Sequence, residues 1–134
     1  MDASLNTQSK SCGLVMKDIE IFEDGSGGVC ILEIQSAPFA ASTRFFFDSP
    51  PPGAFVENLA ALDRSLLGEA KLGQQFEDPH FMFRGNGRGQ ITVSGLLVDT
   101  TEHWQKLEFS FATDQTALGP FLAELRRVVD AAAT

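Results

Sequence analysis

The chain has 134 residues, 43% of them hydrophobic, and ten Lys and Arg against eighteen Asp and Glu leave a net charge of −8. This size fits one domain whose core needs neither disulfides nor metal. The acidic balance argues against nucleic acid and anionic membrane surfaces, which call for clustered cations, and favours a basic protein partner through complementary potentials.

No stretch approaches the roughly 20 apolar residues that span a bilayer. The opening MDASLNTQSKSCG has no basic region leading into an apolar one, so the expected compartment is the cytoplasm, with Cys12 and Cys30 as reduced thiols. Residues 1–13 are polar and aperiodic and are expected to form a flexible tail, leaving 14–134 as a single α+β domain.

From there VMKDIEIF alternates, Ile19 and Ile21 on one face and Asp18 and Glu20 on the other, which predicts a half-buried strand. EDGSGG supplies a hairpin turn. VCILEIQ predicts a second strand with Cys30, Leu32 and Ile34 inward, SAPFAAS a connection, and TRFFFD a third strand with Phe45 and Phe47 inward and Arg44, Phe46 and Asp48 outward. In SPPPG, Ser49 is a helix cap and the prolines suit a first turn. Phe55, Leu59, Leu62 and Leu66 then recur at helical spacing, Leu67 widens the stripe, and Gly68 or Gly73 is the expected stop.

HFMFR, QITVSGLLV and WQKLEFSFA predict three more strands, the last with Phe109 and Phe111 inward. RGNGRGQ, residues 84–90, holds the spaced glycines of a phosphate loop, but a strand pattern follows it where a helix would be needed. Asn-Gly here predicts a hairpin turn, with Arg84 and Arg88 beside it. The closing segment predicts a helix capped by Asp114 or Thr116, becoming regular at Pro120. The order is βββα-βββα, and Phe55, Leu59 and Leu62 are echoed 66 residues later by Phe121, Leu125 and Val128. The expected fold is an antiparallel sheet of about six strands with both helices on one face.

No catalytic signature emerges. The only imidazoles are His80 and His103, no G-x-S-x-G occurs, and Cys30 lies on a core face. The Cys and His spacing matches no closed zinc pattern, so neither metal nor cofactor is expected. Adjacent acids in FEDG and FEDPH are explained by solvation at strand ends. The bare reverse of the sheet is more informative: it is expected to present Asp18, Glu20, Glu33 and Glu108 together with Phe46 and Trp104, acids for steering and aromatics for anchoring on a protein partner.

The strings MKDIEIF, GNGRGQITVSGLLVD and LEFSFATDQTALGPFLAELRRVV resemble the WapI-type immunity proteins of bacterial polymorphic toxin systems and their uncharacterised relatives, over roughly residues 16–130. The resemblance implies a non-enzymatic antidote that binds a toxin's effector domain, a cationic one if the charge reading holds. It transfers no functional residues, because the matching strings make the fold. The alternative is a small-molecule-binding or hydrolytic domain with a pocket between sheet and helices near His80 or His103. Self-association through the bare sheet face stays open as well.

Overall fold

The computed structural model describes residues 1–76 and 78–133; Glu77, the first acid of FEDPH, and Thr134, the last residue of the expected domain, lie outside the described residues. The protein is α+β, but its strands form two sheets instead of one, and there are eight of them among the described residues. The first half contributes β1 (Ala3–Asn6), β2 (Cys12–Ile21), β3 (Gly28–Ser36) and β4 (Phe39–Phe47), then α1 (Pro52–Ser65). The second half contributes β5 (Leu67–Gly73), β6 (His80–Asn86), β7 (Gln90–Asp99) and β8 (Gln105–Asp114), then α2 (Gln115–Ala132). Each sheet is an antiparallel meander in chain order, β1-β2-β3-β4 and β5-β6-β7-β8. The order is therefore ββββα-ββββα, correcting the expected βββα-βββα.

The halves interlock. Helix α2 lies along β1, α1 lies along β5, and the helices pack on each other. Strand β3 approaches β8 just as β4 approaches β7. These contacts map onto one another when the halves are exchanged, so the echo 66 residues apart reflects an approximate two-fold architecture. The expected arrangement of both helices on one face of one sheet gives way to two sheets and two helices sharing one core.

That core is a phenylalanine network. The Phe81 ring sits 5.5 Å from Phe45 of the first sheet, 5.9 Å from Phe55 of α1 and 5.9 Å from Phe83, and Phe83 continues to Phe121 of α2 at 5.7 Å. Both sheets and both helices thus meet through four contacts centred on β6. All these rings are almost fully buried, and no polar or charged residue among those described is buried with them. Each such side chain contributes about 1.5–3 kcal/mol by leaving water, and T-shaped or offset ring pairs add to that.

Two strands escaped the sequence reading. Residues 3–6 form β1: Ala3 and Leu5 are fully buried, and β1 pairs with β2 from Ala3–Met16 to Asn6–Gly13. Within the segment expected as a tail, β1 lies between β2 and α2, a position that four residues of unremarkable composition cannot announce. Its outer edge is closed by Glu124 of α2, which accepts the Ser4 backbone N–H at 3.1 Å, so the exposed ladder of an edge strand is covered. Strand β5 was absorbed into the expected helix. Helix α1 instead ends at Leu66, which takes a left-handed φ of 59° and donates its N–H to Leu62 at 2.7 Å. The stop is not Gly68 or Gly73, and Leu67 points to solvent in β5.

Ser49 does not cap α1; Pro51 occupies the N-cap, with no side-chain hydrogen bond. Ser49 instead forms a two-way backbone bridge with Gly73, at 3.0 and 3.2 Å, which ties the two sheets together at one corner. Helix α2 starts at Gln115, ahead of the expected firming at Pro120, and accommodates Pro120 inside it. The expected Asp114 cap is present, accepting the Thr116 N–H at 3.0 Å.

Candidate functional site

Strand β2 carries a bulge: Lys17 pairs with Ile31 and Glu20 with Val29, so three steps on β2 face two on β3. The extra residue is accommodated by Asp18, whose φ is 52° and whose N–H is held by the Asp2 carboxylate at 2.9 Å. Asp tolerates this left-handed geometry better than most side chains. The bulge shifts the alternation, so Met16 and Ile19, three apart, are both buried. It also directs Glu20 to the outer face, in one row with Val29 and Phe46.

The other expected contact residues divide between the sheets. Glu33 lies on the outer face of the first sheet in the row Val15–Glu33–Ser42. Trp104 and Glu108 belong to the second sheet: Trp104 stands just before β8 with the Lys106 ammonium 4.7 Å from its ring, and Glu108 pairs with Leu96. The six residues therefore do not share one sheet face. Nor is the outer face of the first sheet uniformly acidic, because Lys17 and Arg44 flank Ile31 in a row of their own.

A denser arrangement lies at one end of the first sheet. Phe22 closes the β2–β3 turn by donating to Gly27 at 2.9 Å. Gly27 packs so closely on the end of β4 that an added Cβ would fall 2.5 Å from the Phe47 carbonyl oxygen and 3.0 Å from the Asp48 Cβ. Asp48 in turn accepts the Gln75 N–H at 3.0 Å, which places Phe76 beside it. Phe22, Phe46 and Phe76 are 44%, 41% and 95% exposed. Phe76 also has a φ of 68°, a conformation that costs a bulky L-residue roughly 1–2 kcal/mol. The charged side chains of these segments among the described residues, Glu20, Glu23, Asp24, Asp48 and Asp78, are all carboxylates. Asp24 is held below its usual pKa by the backbone N–H of Ser26, then by the Ser26 hydroxyl, so it stays ionised further into acid. The nearby cation Arg44 lies over the Phe46 ring at 5.1 Å.

Of the expected contact residues, Glu20 and Phe46 lie at this end; Glu23, Asp24 and Phe76 were not among them. The signal for the acids was present: no Lys or Arg stands between Lys17 and Arg44, nor between Arg44 and Arg64. Phe76 left no trace, since its exposure depends on the undetected β5–β6 connection.

At the opposite side of the pseudo-symmetry the RGNGRGQ stretch forms the β6–β7 turn, with Gly87 and Gly89 at φ 82° and 91° and the Asn86 side chain accepting the Arg88 N–H at 2.8 Å. Arg84 pairs with Glu69 across the sheet, which accounts for one of the two cations. His80 Nδ1–H donates to the Asp78 carbonyl oxygen 2.8 Å away, and His103 is exposed. Cys30 is buried and its thiol pushed up to about 12 by desolvation, so it is not a nucleophile. Among the described residues no three His, Cys, Asp or Glu side chains converge as a metal site, and no helix is long and apolar enough to cross a membrane. Known protein-family models and curated protein sequences give no match to the chain.

Proposed function

We propose that the protein is a non-enzymatic binding module that neutralises a cationic protein domain, in the manner of the bacterial immunity proteins it resembles in sequence, by docking through the end formed by Phe22, Phe46, Phe76 and the surrounding carboxylates. The observation that carries this reading is the exposure of three phenylalanines on segments rich in carboxylates, with the Arg44 guanidinium over the Phe46 ring. Large apolar side chains held in water are unfavourable for a monomer and suit an interface core, where aromatics anchor. Carboxylates around them raise the encounter rate with a basic surface and disfavour acidic ones. The strained backbone at Phe76 fits the same role, since such geometry collects at contact sites.

The test is binding, by surface-immobilised kinetics, of the toxin effector domain encoded beside this chain's own gene. A stable complex whose association rate falls with added salt is expected. Reversing Glu23, Asp24 and Asp48 to lysine should cut association by about tenfold or more, while Phe76→Ser and Phe22→Ala should speed dissociation. Absence of a complex overturns the antidote reading, and a complex indifferent to all five substitutions overturns the choice of surface.

A further inference from the structure

A concavity lies away from the acidic end, where the β1–β2 turn rises over the outer face of the first sheet. It has a volume of about 730 Å³, within the roughly 300–1,000 Å³ range of small-ligand sites. Two cross-strand rows build its floor, Asn6–Gly13–Gln35–Ala40 and Val15–Glu33–Ser42. The bordering residues Leu5, Leu14 and Ile34 are at most 2% exposed, so their side chains belong to the core and the hollow opens on the solvent side. Gly13 and Ala40 leave the floor low, while their neighbours carry polar heads.

The wall is preorganised. Thr7 Oγ1 donates within the turn, to the carbonyl oxygens of Ser9 and Cys12 at 2.8 and 2.7 Å. The Ser9 and Ser11 hydroxyls pair at 2.8 Å, and the Gln8 amide holds Asp114 at 3.3 Å. Lys10 sits in this wall, and Glu33 lies in the far row of the floor. Neither side chain is in an ion pair among the described residues. The row beyond Glu33 carries Lys17, Ile31 and Arg44.

We infer that this groove binds a short zwitterionic peptide, with its α-ammonium on Glu33, its carboxylate on Lys10, and its amides on the carboxamides of Asn6 and Gln35. The two charges have opposite sign, and a complete floor row separates them. At roughly 3.4 Å per residue, successive rows on one face stand about 7 Å apart, so two such steps, about 14 Å, fit an extended tripeptide with an ion-pair contact at each end. Side-chain amides satisfy both the donor and the acceptor of a peptide unit. The lining offers no aromatic platform and no pair of cations, which argues against a stacked base or a phosphate ester. This inference does not depend on the antidote reading, and Glu33 serves this groove instead of the acidic end.

The test is titration of the isotope-labelled protein with alanyl-alanine and trialanine, followed by backbone NMR. Shifts should concentrate at Gly13, Glu33, Gln35 and Ala40. Glu33→Gln and Lys10→Gln, both at positions without intramolecular ion pairs, should each weaken binding by about tenfold, one lost charge-assisted contact, with unchanged thermal stability. Ser42→Phe should fill the groove and abolish the response. The N-acetylated, C-amidated peptide should not bind. Equal binding of the blocked peptide, shifts elsewhere, or no response to either free peptide at about 10 mM, the weak end of specific recognition, overturns the proposal.

Discussion

The Gln8 side-chain amide donates to the Asp114 carboxylate at 3.3 Å, fastening the β1–β2 turn to the start of α2. Its counterpart in the other half is Gln75, whose backbone N–H reaches Asp48 at 3.0 Å, where β4 runs toward α1. The same corner is thus built twice from the same residue types, once on each side of the approximate two-fold. The corners differ in what surrounds them: Lys10 and the peptide-sized groove at the first, Phe76 and acids at the second.

Removing residues 1–13 tests whether β1 is part of the domain. Loss of Ala3 and Leu5 uncovers α2 and turns β2 into an open edge. A chain starting at Leu14 is expected to lose cooperative unfolding or to aggregate. The milder Glu124→Ala change removes only the acceptor of the Ser4 N–H, and should cost about 1–2 kcal/mol and speed hydrogen exchange at Ser4.

Phe81 is the joint of the core. Phe81→Ala is expected to lower stability by about 3–5 kcal/mol in denaturant titration, because its cavity opens between both sheets and α1. Phe39→Ala, at a side chain 62% exposed, should change stability by no more than about 0.5 kcal/mol.

Asp114 links stability to pH. Its carboxyl is held below the usual range, chiefly by the Thr116 hydroxyl. A depressed folded pKa stabilises the protein above the unfolded value, near 4, and that contribution disappears as the pH falls through the folded pKa. Asp24 and Asp99, each lowered first by a backbone N–H, from Ser26 and Thr101, act in the same direction. Asp114→Ala should therefore be less stable than the parent at neutral pH, and the difference should shrink below about pH 4. Thermal melts across that window check it, and a constant difference would contradict the linkage.

The two thiols should label at different rates. Cys12 is partly exposed at the start of β2, while Cys30 is buried with its pKa raised to about 12. A thiol reagent at pH 8 is expected to modify Cys12 in the native protein and Cys30 only through opening of the sheet. Equal native rates would mean that β3 is open to solvent.

Local patterns were legible where a segment's own periodicity matched its surroundings. The alternation of Cys30, Leu32 and Ile34, the inward Phe45, Phe47, Phe109 and Phe111, the Asp114 cap and the glycine turn after Asn86 all stand as the sequence implied. Each depends on residues within one element or one hairpin.

What the amino-acid order determined by itself was an acidic α+β chain with two apolar helix stripes and alternating strands. The tertiary structure alone decided the division into two sheets, the ordering of β1 beneath α2, the separation of β5 from α1, and the company that Glu20, Glu33 and Trp104 keep. The physical reason is that period-two alternation records which side chains share a face of their own strand, but holds nothing about which strands pair. Long-range packing between the halves supplies that choice, through rings such as Phe81 that touch partners from two other elements, β4 and α1.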